Sequence, residues 1–447
     1  MKSLLITVLL ALISRTVPFS IPSRRIQTAL KSTTAENPME TTEKMTLEAI
    51  EFQNRLADKK DALFIAQTAP SVRVALPEEF GLEPGSLPSG IMVSALKELG
   101  FDKVIDTNTM ADLTICEEAT ELLNRVLLRI ERNGQNETQY PPVNDAPLPL
   151  FTSCCPGWMF GLEKMAPDLA PYVSSCKSPH MMLGALVKEY SKEWYGRDDP
   201  KDIYLVSIMP CVKKRPESDE KVFQHGDVRE IDNVLTTRDI GQLLRMRNVD
   251  PTKLEPREFD SMFQSEEDMN SLGSGAGQLF GTTGGVMEAA VRTVYAWLTG
   301  KQLPRLELTE VRGLEAVKEA TVSLLDKETG KGLDTEIRVA VVNGLGNAKK
   351  LIQALKNGEA QYDFIEVMAC LGGCIGGGGQ PRSKDKDILQ RRQEVIYKLD
   401  RKLPIRQSHE NPTVKHLYEK YLGEIGGEKA HHLLHVKPIY GGGDEKS

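Results

Sequence analysis

Short apolar runs recur along the chain, separated by longer stretches in which apolar residues recur with helical periodicity. Short continuous runs bounded by Pro, Gly or Cys predict buried β-strands. The longer stretches, for example Leu183–Trp194 and Val286–Leu298, predict helices. Strands that alternate with helices favour an α/β fold with largely parallel sheets. The predicted strands are Ala62–Gln67 before Pro70, Leu148–Thr152 before Cys154, Ile203–Met209 before Cys211, Arg338–Val342 before Gly344, and Phe364–Met368 before Cys370.

Three of these predicted strands lead into a cysteine, at Cys154, Cys211 and Cys370. In open α/β sheets, ligands bind in the crevice beyond the carboxyl ends of the strands. We therefore predict that these thiols converge in one crevice. By contrast, the polar, glycine-bearing stretch Glu255–Gly277 predicts a surface loop, and the tail after Tyr440 predicts disorder.

Composition limits the classes of partner. The 447 residues are enough for one large core or two packed lobes, and the net charge of -7 gives no reason to expect nucleic acid as a partner. The chain contains no apolar run of about 18 residues, so we expect no membrane span.

Seven cysteines, none of them before Cys116, do not form the dense pairs of a small secreted scaffold. They fit metal ligands or free thiols in a reducing compartment.

Residues 1–35 differ from the rest of the chain in charge, since they carry five basic residues and no acidic residue precedes Glu36. The apolar stretch Ser3–Ile13 follows Lys2 and is too short to span a bilayer. This layout predicts a targeting presequence, made of a signal peptide and a basic segment like a transit peptide. Such a bipartite presequence, with Phe19 near the junction, resembles those of plastid proteins in algae with complex plastids, so we expect a chloroplast (plastid stroma) location. A mitochondrial or hydrogenosomal presequence and a simple secretory signal are the alternatives.

Five of the seven cysteines lie in three segments rich in glycine and proline: FTSCCPGW (151–158), MPCVKKRPE (209–217) and EVMACLGGCIGGGGQP (366–381). Soft thiolate ligands suit iron–sulfur clusters or zinc. The spacing of Cys370 and Cys374 alone is compatible with half of a zinc ribbon, and buried structural cysteines are a further interpretation. The surrounding glycines let the backbone approach closely, which favours a bulky inorganic cofactor.

These three segments match, in order, the signature motifs of the FeFe-hydrogenases, and the chain resembles that family. The similarity extends through residues 111–123, 280–292 and 343–351. The resemblance implies a two-lobed α/β catalytic domain with the cluster in the cleft between the lobes. Residues 60–385 would form the large-subunit catalytic domain, and residues 390–440 a small-subunit-like segment.

The resemblance also implies the cofactor. Cys155, Cys211, Cys370 and Cys374 would hold a 4Fe-4S cluster. Cys374 would bridge this cubane to a diiron subsite that carries CO, cyanide and a bridging azadithiolate, and the two parts together form the H-cluster. The implied activity is the reversible reduction of protons to molecular hydrogen, with electrons from reduced ferredoxin.

Further residues match positions that contact the diiron subsite in the family. Lys214 and Ser71 are expected to hydrogen-bond cyanide, although a lysine in a Lys-Lys-Arg run is commonly a solvated charge. Met209 and Met368 are expected to keep the subsite dry. His180 stands where the family usually has glutamine, and is expected to donate toward a carbonyl ligand and to titrate near about pH 6.5. The full set is Pro70, Ser71, Pro179, His180, Met209, Lys214, Phe280 and Met368.

A relay for protons is predicted to start at Cys154, which adjoins a cluster ligand. The ordinary pKa of a thiol, about 8.5, lies between the pKa values of a carboxyl group and an amine, so a thiol can pass a proton from one to the other. A helix predicted over residues 116–131 carries Glu118, Glu121 and Arg125 on one face. Without the resemblance, Glu121 and Arg125 would be an ordinary i,i+4 salt pair. The path implied by the family runs from Cys154 through Glu118, Ser174 and Glu121, with Arg125 at its outer end.

Cys116 and Cys176 are expected to be small buried hydrophobes and not ligands. Because no cysteine precedes Cys116, the chain resembles the short algal type without accessory iron–sulfur domains. Electrons are then expected from a separate ferredoxin, an acidic partner that would contact lysines. The family also depends on dedicated hydrogenase maturases. The alternative functions are a cytosolic iron–sulfur assembly or carrier protein and a hydrogen or redox sensor.

Overall fold

The structure, a computed structural model, describes residues 44–132, 147–263 and 272–437. The predicted presequence (residues 1–35) and the tail after Tyr440 lie outside these residues. Within the described ranges, no helix combines the length and the apolar character needed to cross a membrane.

Helices and strands alternate through most of the chain, and helices alone follow the last strand. The strands are β1 (Leu63–Thr68), β2 (Lys103–Asp106), β3 (Leu150–Phe151), β4 (Ile203–Met209), β5 (Gln224–His225), β6 (Val228–Arg229), β7 (Asn233–Thr236), β8 (Val317–Asp326), β9 (Lys331–Asn343) and β10 (Phe364–Met368). The helices are α1 (Leu47–Ala57), α2 (Pro70–Ala75), α3 (Ser89–Glu98), α4 (Asn108–Arg132), α5 (Pro156–Met165), α6 (Pro179–Glu189), α7 (Ser191–Tyr195), α8 (Lys214–Ser218), α9 (Thr237–Met246), α10 (Gly275–Leu279), α11 (Gly285–Thr299), α12 (Leu345–Lys356), α13 (Ile388–Lys402), α14 (Pro412–Leu417) and α15 (Glu428–Leu434).

Two four-stranded sheets form the framework. The first has the strand order β2-β1-β4-β7, and all of its neighbouring strands are parallel. The second has the order β3-β10-β9-β8, in which β8 alone is antiparallel to its neighbour. Every residue of β4 and of β10 is buried, as expected for parallel strands that are covered on both faces. The predicted α/β fold with largely parallel sheets is confirmed.

The carboxyl ends of strands from both sheets lead to one cavity. In the first sheet, β1 leads to Pro70 and β4 to Cys211; in the second, β3 leads to Cys154 and β10 to Cys370. All four residues line the cavity. The predicted convergence of the thiols beyond the strand ends is therefore confirmed, and the cavity lies between the two sheets.

The C-terminal helices pack onto the rest of the molecule through buried ion pairs. Asp400 of α13 is fully buried and pairs with Arg292 of α11 at 3.1 Å. Arg392, also in α13, pairs with Glu78 at 2.7 Å. Because a buried charge that loses its partner is costly, these pairs fix the position of α13.

Some element boundaries differ from the prediction. The predicted strand at 148–152 contains only the two residues of β3, and the predicted helix Leu183–Trp194 is two helices that meet at Tyr190. Helix α4 begins about two turns before residue 116. Its first turns hold polar residues such as Asn108 and Asp112, which are buried by tertiary packing, so the apolar pattern did not reveal them.

The predicted surface loop Glu255–Gly277 holds only at its start: residues 255–258 are exposed and irregular, whereas much of the rest that the structure describes is buried. Phe259, Met262 and Phe263 are buried, and all residues of α10, which begins at Gly275, are buried as well. A Cβ atom at Gly275 would come within 2.4 Å of the Asp400 carboxylate. Glycine therefore marks close packing at this position and not an exposed turn.

Candidate active site

A partly open cavity lies between the two sheets, beyond the carboxyl ends of their strands. Short segments that directly follow strands supply many of its lining residues, so the sheet positions them rigidly. The lining includes every residue predicted to contact the cofactor and every predicted cluster ligand: Pro70, Ser71, Pro179, His180, Met209, Lys214, Phe280 and Met368, with Cys154, Cys155, Cys211, Cys370 and Cys374.

The spacing of the four predicted cluster ligands suits a group larger than one ion. Four thiolates around a zinc ion lie about 3.8 Å apart, because Zn–S bonds are about 2.3 Å long. Within the described chain, no three of these cysteine sulfurs lie within 4.8 Å of one another, although all four cysteines line the same cavity. The arrangement disfavours the zinc interpretation of Cys370 and Cys374 and fits a bulky cluster.

Burial raises the pKa of all four of these thiols, and the pKa of Cys211 rises to about 12. A thiol in such a place ionises when it binds a metal. The backbone N–H of Ala369 donates to Cys155 Sγ at 3.4 Å, a contact that would stabilise the thiolate. The donor set therefore fits an iron–sulfur group.

A buried acidic residue holds Lys214 at the cavity wall. Lys214 Nζ donates to the carbonyl of Cys154 at 3.2 Å and pairs with Glu217 at 2.8 Å. Burial lowers the pKa of Lys214 and Glu217 raises it, with a net upward shift. The side chain is only 11% exposed. Lys214 is therefore a buried, charged donor and not a solvated charge.

His180 is held on both sides by protein groups. Its Nε2 lies 2.9 Å from Glu217, and its Nδ1 lies 3.1 Å from Ser207 Oγ. Ser207 accepts from Gln67, so its hydroxyl proton is directed to Nδ1, and Nε2–H donates to Glu217. Burial and the charge of Lys214 lower the pKa of His180. The expected donation toward a carbonyl ligand and titration near pH 6.5 are therefore wrong.

Ser71 presents a buried hydroxyl at the cavity wall. Its Oγ has no hydrogen-bond partner in the described chain, and the residue is fully buried. An unpaired buried polar group costs about 1–3 kcal/mol, which indicates a donor kept for a group inside the cavity. Met209 and Met368, each 2% exposed, give the same cavity apolar walls that exclude water.

Cys154 and Glu118 connect the cavity to helix α4. Burial and the adjacent Glu118 raise the pKa of Cys154 well above its ordinary value. Burial and Glu121 raise the pKa of Glu118 to about 8, although the Ser174 hydroxyl and the Ser153 backbone N–H partly offset the shift. Both Cys154 and Glu118 therefore hold a proton at neutral pH.

Glu121 and Arg125 lie farther along α4. Glu121 is 13% exposed and accepts a hydrogen bond from the Ser175 backbone at 3.0 Å. Arg125 donates to the carbonyls of Pro147 at 2.7 Å and Tyr172 at 3.2 Å. The alternative of a salt pair between Glu121 and Arg125 is not observed among the described residues. The predicted path residues are thus neighbours from the cavity to Glu121, and Arg125 braces a loop beside them.

Sequence reasoning missed the residues that support Lys214 and His180. Glu217 follows Lys214 by three residues, a spacing typical of a helical ion pair, and this was the available signal. Gln67 and Ser207 are polar residues inside predicted apolar strands, and they stand directly opposite each other in the β1–β4 register. A polar pair at matching positions of two buried strands indicates a buried hydrogen-bond network.

Comparison with known families agrees with this geometry. The family described as "Iron only hydrogenase large subunit, C-terminal domain" matches residues 62–378. The family described as "Iron hydrogenase small subunit" matches residues 386–437.

Individual relatives share this family. The NADP-reducing hydrogenase subunit HndD of Solidesulfovibrio fructosivorans is 41% identical over 84% of this chain, which spans 60% of that subunit. A solved structure of a variant of the FeFe-hydrogenase HydA1 from Chlamydomonas reinhardtii is 45% identical and has a TM-score of 0.75, covering 89% of this chain and 100% of that chain. Protein NAR1 of Arabidopsis thaliana is 30% identical over 91% of this chain and 82% of that protein. The match to residues 62–378 shows that the chain belongs to the iron-only (FeFe) hydrogenase family.

Proposed function

We propose that this chain is an FeFe-hydrogenase that reversibly reduces protons to molecular hydrogen, with the H-cluster in the cavity. The observation that carries the proposal is the cavity wall. Besides the four cysteines of a cubane, it offers a charged donor in Lys214, an unpartnered hydroxyl in Ser71 and apolar thioether side chains. A cubane alone would leave these groups without a purpose.

Family members carry the H-cluster, a 4Fe-4S cubane joined to a diiron subsite. In this chain Cys155, Cys211, Cys370 and Cys374 would hold it. When bound, the diiron subsite supplies the redox centre at which protons and electrons combine.

The residues of the chain itself would deliver the protons. Cys154 Sγ at the cavity wall holds a proton and is followed by the Glu118 carboxyl, Ser174 and the more exposed Glu121. Because the pKa of Glu118 is about 8, this carboxyl can both hold and release a proton near neutral pH. The apolar lining keeps bulk water out of the cavity, so protons must travel along these side chains.

A ferredoxin donor fits the surface next to the cubane ligands. Leu371, adjacent to Cys370, is 62% exposed, and Val212, adjacent to Cys211, is 37% exposed. The exposed Lys213 directly follows Val212 in the chain. An apolar patch with a cationic neighbour suits an acidic electron donor. Charge reversal at Lys213 should therefore raise the KM for ferredoxin without changing the rate with methyl viologen.

We base the protein subtype, the cellular location and the need for maturases mainly on the sequence. The short algal type agrees with the complete coverage of the HydA1 chain, and the basic segment at residues 1–35 favours the plastid stroma. Installation of the diiron subsite would need hydrogenase maturases. A fluorescent fusion to residues 1–35, expressed in an alga with complex plastids, tests the location; accumulation in mitochondria would contradict it.

The decisive experiment is anaerobic hydrogen evolution with reduced methyl viologen, after loading with a synthetic diiron cofactor. The parent should evolve hydrogen, and Cys154→Ala should lose nearly all turnover while it keeps the infrared bands of CO and cyanide. Cys116→Ala, which changes a buried cysteine outside the cavity wall, is the matched control and should remain active. If no such bands form in the parent, the hydrogenase proposal fails, and an iron–sulfur assembly role replaces it, as the name of a Danio rerio relative, cytosolic Fe-S cluster assembly factor narfl, suggests.

A further inference from the structure

A second group of metal-ligating side chains lies at the outer end of the proton path. Glu121 of α4, Cys176 and His435 offer ligand atoms that all lie within 4.8 Å of one another. Across the described ranges, no other set of three His, Cys, Asp or Glu side chains meets this condition. The group includes neither the cluster ligands nor Cys154.

Backbone pairing holds the segments of this group in place. The Lys177 N–H donates to the Leu434 carbonyl at 2.8 Å, and the Val436 N–H donates to the Ser175 carbonyl at 2.7 Å. Cys176 and His435 are therefore directly opposite each other in an antiparallel bridge. Their positions follow from the main chain and not from flexible side chains alone.

The distances suit one small cation. His435 Nδ1 is 3.9 Å from Cys176 Sγ and 3.8 Å from Glu121 Oε1. Ligand atoms of a tetrahedral zinc site with bonds of about 2.0–2.3 Å lie about 3.3–3.8 Å apart. The two distances from His435 Nδ1 thus lie at or just above this range, and Cys176 Sγ and the Glu121 carboxylate lie within 4.8 Å of each other.

The orientation of His435 is that of a metal ligand. Its Nε2 lies 3.0 Å from the Glu117 carboxylate, which also accepts from the Tyr418 hydroxyl and the Gly426 N–H. The Nε2 proton is therefore directed to Glu117, and Nδ1 lies on the opposite side of the ring, 2.8 Å from the Ser175 hydroxyl and within 4 Å of Cys176 and Glu121. Metal-binding histidines commonly donate their second N–H to a carboxylate in this way.

The charges around the group also favour a cation. Glu121 and Glu117 lie near Cys176, and burial, followed by the effect of Glu121, raises the pKa of its thiol. The Glu121 Oε2 atom is buried and has no hydrogen-bond partner in the described chain. The nearby Arg125 already donates to backbone carbonyls. The stacked ring of His431, 4.6 Å from that of His435, lies on the exposed side, where water can supply a fourth ligand.

We propose that Glu121, Cys176 and His435 form a binding site for Zn²⁺, and that the bound ion removes Glu121 from the proton path. On binding, the ion replaces the thiol proton of Cys176, which passes to solvent. The ion would also replace the contact between His435 Nδ1 and the Ser175 hydroxyl, which keeps its hydrogen bond to Glu121. A Cys, His and carboxylate donor set favours zinc over magnesium or calcium. The effect on protons rests on the proposed hydrogenase function, whereas binding does not.

The test uses the cluster-loaded protein, so that the cluster cysteines are already occupied. A calorimetric titration with Zn²⁺ should show that one ion binds per chain. X-ray absorption at the zinc edge should show one sulfur ligand together with nitrogen and oxygen ligands. Cys176→Ser and His435→Gln should each weaken binding at least tenfold, and Glu117→Gln by about 10–100-fold. Cys116→Ser, a buried cysteine outside the group, should bind as the parent does.

The functional readout is hydrogen evolution at increasing Zn²⁺ concentration. Inhibition should follow the binding curve, reverse with EDTA, and shift at least tenfold to higher Zn²⁺ in His435→Gln. Binding without a sulfur ligand, or unchanged affinity in Cys176→Ser and His435→Gln, overturns the site. If Zn²⁺ saturates the site but does not inhibit hydrogen evolution, the proposal that the bound ion removes Glu121 from the proton path is overturned. A parent without hydrogenase activity refutes the proposed function, and the absorption data then still decide the site.

Discussion

Glu118 is a carboxyl group kept in a fully buried place where its ionised form is unfavourable. Its pKa rises from 4.5 to about 8, mainly through burial and then through Glu121. Between these two values the folded chain keeps a proton that the unfolded chain releases, so the free energy of unfolding must fall as pH rises. A site that handles protons at neutral pH is therefore built at the expense of stability.

Glu118→Gln should abolish this part of the pH dependence. Between pH 5 and pH 8 the parent should lose on the order of 2–4 kcal/mol more unfolding free energy than the variant. Urea unfolding of the cluster-free chain at both pH values measures the difference. Asp112, whose pKa rises to about 6, contributes equally to both proteins. The exposed Glu131→Gln on the same helix is the control, and equal slopes in parent and Glu118→Gln would contradict the prediction.

At the residue scale, the sequence predicted groups whose role follows from local spacing. The cysteines and Lys214 lie in contiguous segments, so their convergence on one cavity followed from the strands that precede them. Glu117 and His435 are 318 residues apart, and no local pattern connects them. Contacts of this kind depend on the packed structure, and the same is true of the neutral state of His180.

At the scale of elements, the loop after β10 depends on glycine conformation. Gly373 has φ of +78°, and a Cβ atom there would come within 2.6 Å of the Thr283 backbone nitrogen. Gly373→Ala should therefore destabilise the chain by more than the roughly 1–2 kcal/mol cost of the left-handed backbone, and should reduce the iron content after reconstitution.

Gly358→Ala is the matched control for this loop. Gly358 has φ of +72°, but nothing lies within 4 Å of its added Cβ atom, so only the backbone cost applies. Thermal unfolding and iron analysis of the two variants separate the cost of the left-handed backbone from the cost of the steric clash between the added Cβ atom and Thr283. If both lose equal stability and both keep their iron, the close approach at Gly373 does not matter.

The sequence predicted the bounds of a strand correctly where the strand is buried on both faces and its residues form a continuous apolar run. β4 and β10 are buried on both faces, so their apolar runs matched the observed strands residue for residue. In β8, buried and exposed positions are mixed, and the strand was not predicted. The same limit applies to the start of α4, where buried polar residues such as Asp112 have distant partners: Asp112 accepts from Ser274 and Asn411.

At the scale of the whole molecule, the C-terminal helices belong to the same body as the sheets. Ile396, Leu417 and Leu434 are fully buried, and the Ile405 carbonyl accepts from the Gly275 N–H at 2.8 Å. The connecting residues 382–384 are exposed. Covalent continuity at this point is therefore not needed to hold the two parts together, although they match separate family descriptions.

A chain cut at an engineered protease site after Lys384 should thus remain one complex on size exclusion and keep its activity. Asp400→Leu should make the cut fragments separate, because it removes the carboxylate that pairs with Arg292 and Arg406, and breaking a buried pair costs about 3–5 kcal/mol. Glu394→Leu, on the exposed face of the same helix, is the control and should leave the complex intact. Fragments that separate without any substitution would show that the buried contacts of α13 to α15 are too weak to hold the segment, and that the covalent link itself maintains the fold.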